Sequence, residues 1–144
     1  MAITDIVRGM QNAATAIHNN FKELEKKATE MPAIWEGATF MSASQSITLT
    51  TSLKDCPKGI ILKFNPYNST TGTAYTSQSS YWFIPKQHVL GGSSGQNTFC
   101  PIFKQDGTLI GAKVITVSPG KLTGADVNAL GALYGYVLTG VYAA

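Results

Sequence analysis

Charged side chains are scarce in this chain: Asp, Glu, Lys and Arg make up 13% of its 144 residues, and the formal net charge is +3. The lysines are scattered, so the sequence offers no basic patch of the kind that binds nucleic acid. No apolar run approaches the length of about 18 residues that crosses a membrane. Residues 1–10 lack the basic start and the continuous apolar stretch of a secretory signal. We therefore expect neither nucleic-acid binding nor membrane insertion. We also expect the protein to be made in the cytoplasm without a signal peptide.

Cysteine and histidine are equally scarce, with two of each. His18, His88, Cys56 and Cys100 do not form the short-spaced pairs of a metal site. Without a signal peptide, two free thiols are expected rather than a disulfide. Cys100 falls in a predicted strand and is expected to be a small core residue. The sequence thus predicts no metal and no cofactor.

Acidic residues are few beyond residue 32, and they do not assemble into a recognisable catalytic set. Asp106 fits a predicted turn, and Asp126 fits the start of a short helix. Glu36 and Asp55 remain as a pair from which a glycosidase could be built. We expect no enzyme, with a small cell-wall hydrolase as the alternative that this pair leaves open.

What the sequence does contain is a helical repeat in its first 31 residues. Every seventh residue from Ile3 to Met31 is large and apolar, and a second apolar row runs four residues behind it. The strict seven-residue repeat favours a coiled coil, and the width of the apolar stripe favours a coiled coil of three helices. We predict a trimeric stalk over 1–31, held by these residues: Ile3, Ile6, Met10, Ala13, Ile17, Asn20, Leu24 and Met31. A single amphipathic helix packed on the chain's own globular part is the alternative.

Beyond Pro32 the apolar period falls from 3.6 to 2, which is typical of strands. The predicted strands cover 38–41, 46–50, 60–64, 81–84, 98–104, 108–118 and 134–142. Asp106-Gly107 between two apolar runs predicts a hairpin, and long loops are expected at 65–80, 91–97 and 119–133. Because no helices alternate with the strands, the fold class is predicted to be α+β: a coiled-coil helix, a neck at 32–37, and an antiparallel, jelly-roll-like β-sandwich head at 38–144.

The loop at 65–80 is the strongest candidate for a binding surface. It combines aromatic rings with amides, which suits a neutral sugar because stacking gives contact area and hydrogen bonds give orientation. The candidate ligand-binding residues are Tyr67, Asn68, Tyr75 and Gln78. Trp35, directly after the helix break, is interpreted as a neck residue that packs the stalk against the head, with a sugar-stacking platform as its alternative role.

Several short segments are similar to one known group of proteins. Residues 34–41 read IWEGATFM and residues 46–49 read SITL. In this order they resemble the C-terminal head domains of tailed-bacteriophage fibre and receptor-binding proteins. Three further segments are similar to strands of those heads: PKGIIL at 57–62, FIPK at 83–86 and YVLTGVY at 136–142. The resemblance covers about residues 34–142 and rests on pattern and order rather than on one specific motif.

The resemblance implies a homotrimeric appendage of the virion that contacts the host surface, typically its glycans. Its N-terminal segment would attach it to other virion proteins of the tail or the capsid. The chain departs from the family in having a single helix and no long shaft, which leaves tail fibre and head fibre open. The alternative function is a capsid-mounted fibre or decoration protein without a dedicated receptor site.

Overall fold

A computed structural model of the chain describes residues 3–91 and 95–144, and the side chains of these residues except 3–6, 27 and 28. The chain divides into two compact units, one ending at Met31 and the other covering Pro32–Ala144. The first unit is a helix and the second is built from antiparallel strands. The expectation of one N-terminal helix followed by a β-rich part is thereby confirmed.

Helix α1 covers Ile3–Thr29, 27 residues that span roughly 40 Å at 1.5 Å per residue. It ends shortly before Pro32, whose ring disfavours helical geometry in the residue that precedes it. The apolar row predicted from the sequence is exposed along the helix, from 48% at Val7 to 68% at Met10. Ala13 and Asn20 are also exposed, whereas the side chains of Ile3 and Ile6 lie outside those described.

The β unit contains two antiparallel sheets. The first has the order β1 (Ala33–Thr39), β9 (Tyr136–Ala143), β3 (Gly59–Asn68) and β4 (Thr73–Ala74), and β5 (Ser80–Pro85) also pairs with β3. The second has the order β2 (Ser46–Thr48), β8 (Lys121–Thr123), β7 (Leu109–Ser118) and β6 (Gln96–Phe103). A short helix α2 (Gln87–Leu90) and two 3₁₀ turns (Asp126–Ala129 and Gly131–Gly135) complete the unit.

One hydrophobic core joins the two sheets. Alternate residues of each strand point into it, as the period-2 pattern requires. The first sheet contributes Ile34, Ile60, Leu62, Phe64, Ile84, Leu138 and Val141, and the second contributes Ile47, Cys100, Ile102, Ile115, Val117 and Leu122. Both sheets are curled, and the backbone N–H of Thr50 donates to the Ile34 carbonyl at 3.0 Å, which links the edge of β1 to the chain just beyond β2.

The predicted hairpin is confirmed. Strands β6 and β7 pair from Gln96↔Val117 to Phe103↔Leu109. The turn between them places Gly107 at φ +83°, which suits glycine, and the Asp106 carboxylate accepts the N–H of Thr108 at 2.9 Å. The loop predicted beside this hairpin at 91–97 falls partly on residues 92–94, which lie outside the described residues.

Three predicted boundaries were wrong. Strand β1 begins at Ala33 rather than at residue 38, because residues 33–39 pair with β9. Strand β3 continues through Pro66 to Asn68. Proline is tolerated there because the Pro66 carbonyl accepts from Tyr75 at 2.8 Å, so the missing N–H also faces that side, away from β9. The segment 119–133, predicted as a long loop, contains strand β8, whereas the short helix predicted at Asp126 is confirmed as the 3₁₀ turn Asp126–Ala129.

Both cysteines are free and buried, as predicted for Cys100 and for two unpaired thiols. Burial raises the pKa of the Cys100 thiol to about 12. The pKa of Cys56 is also raised, chiefly by burial and then by the nearby Asp55 carboxylate. Neither sulfur therefore forms thiolate at neutral pH, which fits a packing role.

Candidate functional site

The four predicted ligand-binding residues are distributed over three neighbouring features of the β unit. Tyr67 lines a groove with other aromatic residues, and Gln78 lines a second depression. Asn68 and Tyr75 bind each other through a hydrogen bond from Asn68 Nδ2 to the Tyr75 hydroxyl at 3.0 Å. The sequence thus identified the region but not the grouping of the side chains.

A buried asparagine holds the loop that carries Tyr75 and Gln78. Asn65 is 2% exposed, and the two N–H groups of its Nδ2 are shared among three acceptors, the Tyr75 carbonyl at 2.8 Å, the Gln78 carbonyl and the Ser79 hydroxyl at 2.8 Å. The Thr139 hydroxyl, from β9, donates to Asn65 Oδ1. Because Asn65 lies within β3, this long connection is fixed to the sheet and is not a free loop.

The first groove is aromatic and has a volume of about 290 Å³. The ring of Phe40 stacks on that of Tyr134, with centroids 4.3 Å apart and an interplanar angle of 14°. The ring of Tyr67 meets Phe40 edge-to-face at 4.9 Å and 79°. Both arrangements are preferred for aromatic pairs. Ser69, Gly131 and Gly135 complete the lining.

Sequence reasoning missed Phe40 and Tyr134 as members of this groove. Phe40 directly follows β1, and Tyr134 lies in the 3₁₀ turn Gly131–Gly135 just before β9. Phe40 and Tyr134 lie near opposite ends of the sequence of the β unit, and the pairing of β1 with β9 brings them together in space. A tyrosine followed directly by Gly135 in a turn was the available signal, because glycine leaves the neighbouring ring accessible. Tyr134 is 51% exposed.

Asn68 acts mainly as a turn residue. Its Oδ1 accepts the backbone N–H groups of Thr70 at 2.9 Å and Thr71 at 3.2 Å, which is the local geometry expected of Asn in a tight turn. Its amide nitrogen is used by Tyr75. A ligand would therefore have to displace existing bonds to reach Asn68, whereas the ring of Tyr75 is 48% exposed beside it.

The second depression has a volume of about 330 Å³ and lies between the two sheets. Gln78 Nε2 donates to Gln105 Oε1 at 2.9 Å, which ties the 75–79 loop to the β6–β7 turn. Tyr136 and Phe103 supply aromatic surface, and Lys104 supplies the cation of the lining. The pKa of Tyr136 is raised, first by burial and then by the Asp106 carboxylate. Its hydroxyl is therefore neutral and can both donate and accept hydrogen bonds.

Trp35 lies in β1 opposite Val141, half buried against the core of the β unit. Its ring covers Gly37: a Cβ there would come within 2.7 Å of the ring. Trp35 is therefore a packing residue of the β unit itself. It does not line either depression.

Metal binding and membrane insertion are two further properties on which the described residues bear. Among the side chains that the structure describes, no three of His, Cys, Asp or Glu come together in a group that could hold a metal ion. Over the same part of the chain, no helix has both the length and the apolar character needed to cross a membrane. Comparisons with protein-family models, curated proteins and solved structures found no match for this chain.

Proposed function

We propose that the protein is a trimeric adhesive fibre of a bacteriophage virion that binds a neutral glycan on the host surface. The observation that carries the proposal is the groove formed by Phe40, Tyr67 and Tyr134. It offers flat aromatic faces beside a serine hydroxyl and glycine backbone, and no charged side chain lines it. Such a surface suits the apolar face of a sugar ring, with hydrogen bonds at its rim.

The trimer is proposed from helix α1. Apolar residues stand exposed along one stripe of the helix in the single chain: Val7, Met10, Ile17, Phe21 and Leu24. Met31, the last residue of the predicted row, is also exposed but lies just beyond the helix end at Thr29. An exposed apolar row of this length requires a partner, and a seven-residue repeat is the pattern that further copies of the same helix would bury as a coiled coil. The polar Asn20 within the row would fix the register at some cost in stability. Each groove would bind weakly, and three copies would add avidity.

The virion assignment rests on the resemblance of residues 34–142 to phage fibre heads. The jelly-roll-like sandwich implied by that resemblance is also part of the proposal, supported by one core that both curled sheets share. A capsid-mounted fibre without a receptor site is the second candidate. It is favoured by the same exposed helix row, which would serve attachment to a particle equally well. Microscopy of particles labelled through this protein would separate a tail from a capsid position.

The groove is tested by a Tyr67→Ala, Tyr134→Ala double variant. We expect it to fold and to assemble like the parent, but to bind host cells and their isolated surface polysaccharide at least about tenfold more weakly, because both stacking faces are removed. Tyr81→Ala is the matched control, since Tyr81 is also an exposed tyrosine, at 58%, but lies in β5 outside the groove.

Circular dichroism and light scattering would verify the fold and the mass of each variant. Binding of the parent should change little between low and physiological salt, because no charge lines the groove. Equal binding by the double variant and the parent would exclude this groove as the site. Binding by neither would favour the capsid-mounted fibre.

A further inference from the structure

The core of the β unit contains a lysine. Lys113, in β7, is 0% exposed and lies on the same face of the strand as Ile115 and Val117. Its Nζ donates to the Phe40 carbonyl at 3.0 Å and to the Asn128 carbonyl at 2.8 Å. A buried amine is costly unless its N–H groups are satisfied. Here two hydrogen bonds satisfy two of its N–H groups and join two segments that are far apart in the chain.

Asn128 completes the network and is also 0% exposed. Its side chain forms a pair of bonds with the edge of β7: Oδ1 accepts the Val114 N–H, and Nδ2 donates to the Val114 carbonyl, each at 2.7 Å. Nδ2 also donates to the Met41 carbonyl at 2.7 Å. The asparagine thus serves as a strand partner where β8 has ended, and it binds the residue that follows Phe40.

The segment held in this way has little freedom to rearrange. Met41 is buried with φ +54°, the only positive φ of a non-glycine among the described residues. Its carbonyl also accepts the Ala125 N–H at 3.0 Å. A Cβ on Gly124 would overlap that carbonyl, so the two segments are in direct backbone contact. Such strain persists only where the surroundings over-determine the conformation.

These contacts lead directly to the aromatic groove. The Lys113 amine holds the carbonyl of Phe40 itself, and it holds Asn128 at the start of the turns that carry Tyr134. Leu133, next to Tyr134, is 8% exposed, and its side chain lies against Gly111, two residues before Lys113 in β7. Both partners of the stacked pair Phe40–Tyr134 are therefore anchored to one stretch of β7, residues 111–114.

We infer that Lys113 and Asn128 are positioning residues for the aromatic groove, setting the spacing of Phe40 and Tyr134 from inside the core without contacting a ligand. The inference rests on the proposed function for the role of the groove, but the tether is a property of the fold and can be tested separately. The inference means that two buried residues contribute to the ligand specificity of the groove. Ligand selectivity would then change with a core substitution that leaves every groove side chain in place.

The test compares Lys113→Met with Lys121→Met. Methionine keeps most of the volume and removes the donors, and Lys121 is an exposed lysine of β8 that serves as the control. The first readout is NMR: ring protons of Phe40 and Tyr134 should show the mutual ring-current shifts of a stacked pair in the parent and in Lys121→Met. Those shifts should be reduced in Lys113→Met, while amide signals of β3 and β9 remain.

The second readout is binding of host polysaccharide, which should weaken about tenfold in Lys113→Met and not in Lys121→Met. If Lys113→Met does not fold, the parent labelled with ¹⁵N-lysine answers the question. A slowly exchanging Lys113 Nζ coupled to the Phe40 and Asn128 carbonyls would support the tether, and a rapidly exchanging one would overturn it.

Failure of the tether and failure of the proposed function give different results. Unchanged ring-current shifts in a folded Lys113→Met variant would overturn the positioning role, whether or not the parent binds polysaccharide. Reduced shifts in a parent and variant pair that both fail to bind would support the tether and overturn the glycan proposal. Reduced shifts with undiminished binding by Lys113→Met would overturn the link between the tether and ligand recognition.

Discussion

The helix and the β unit differ in how far their large apolar side chains are buried. Along helix α1 the large apolar side chains are about half to two-thirds exposed, whereas in the β unit the side chains of Ile60, Leu62 and Ile115 are fully buried. The β unit buries a core of its own that includes a hydrogen-bonded lysine, although Phe99 and Leu130 are 66% and 63% exposed and the buried Nε1 of Trp82 has no hydrogen-bond partner among the described residues. The helix satisfies the hydrogen bonds of its backbone but leaves its apolar stripe exposed in the single chain. Under the proposed assembly, the stability of the helix is expected to depend on concentration, whereas that of the β unit is not.

Leu24→Asp should have the largest effect, because it disrupts the proposed assembly of the helix and leaves the β unit intact. The carboxylate would stand in the apolar row that copies of the helix are proposed to share, at a cost of several kcal/mol if it stays charged. We expect the assembly to dissociate in light scattering, while the β unit keeps its own melting transition. Glu23→Ala, on the polar face beside it, should leave the mass unchanged. Equal loss of assembly in both variants would mean that the helix buries a different face.

Gly124→Ala is the corresponding change in the β unit. Because its Cβ would overlap the carbonyls of Met41 and Ser42, we expect a loss of about 3 kcal/mol or more in the free energy of unfolding of the β unit. Assembly through the helix should be unaffected. Gly120→Ala is the control, since no atom lies within 4 Å of its Cβ position. Denaturant melts that shift equally for both variants would contradict the close backbone contact.

Buried Lys113 gives the β unit a distinctive dependence on pH. Burial lowers the pKa of its ammonium from 10.5 to about 8. Below pH 8 the group is charged in both the folded and unfolded states, and the cost of burying the charge is fully present. Between 8 and 10.5 only the unfolded state holds the proton, so the free energy of unfolding should rise with pH, by at most about 3 kcal/mol.

Denaturant melts of the parent and of Lys113→Met across this pH range would isolate the effect, because other groups titrate in both proteins. The difference between the two curves should grow in favour of the parent as the pH rises. A difference that is constant with pH would show that the lysine is not buried as a charged group. Melting of the helix should show no such dependence on Lys113.

The smallest expected effect is that of Gly9→Ala, which changes the stability of the helix alone. Gly9 lies inside α1 with no atom within 4 Å of its Cβ position. Gly9→Ala should therefore stabilise the helix by up to about 1 kcal/mol and raise the midpoint of its thermal transition in circular dichroism. The transition of the β unit should not move. A lower midpoint would indicate that copies of the helix approach each other closely at Gly9.

The sequence predicted those features whose signals lie within a few neighbouring residues, and it did not predict contacts between distant residues. The heptad rows and the Asp106-Gly107 turn are encoded within a few residues, and both gave the correct element. The aromatic groove requires Phe40 and Tyr134 to meet, and that contact depends on β1 pairing with β9 at the far end of the chain. Lys113 is an intermediate case. Its alternation with Ile115 and Val117 is visible in the sequence but was not used for a prediction, and the carbonyls that receive its amine come from Phe40 and Asn128, which no local pattern connects.

The pairing of β1 with β9 also determines how the β unit would carry a mechanical load. Pro32 and Ala144 lie at the same end of this ladder, where the Ala143 N–H donates to the Pro32 carbonyl at 2.9 Å. Pulling on those two residues would open the ladder one hydrogen bond at a time. A load that enters at Pro32 and leaves through a ligand beside Phe40 instead runs along the seven residues of β1, about 23 Å. A pull on Phe40 is carried by the covalent backbone of β1, whereas a pull on Tyr134, just before β9, loads the bonds between β1 and β9 together in shear.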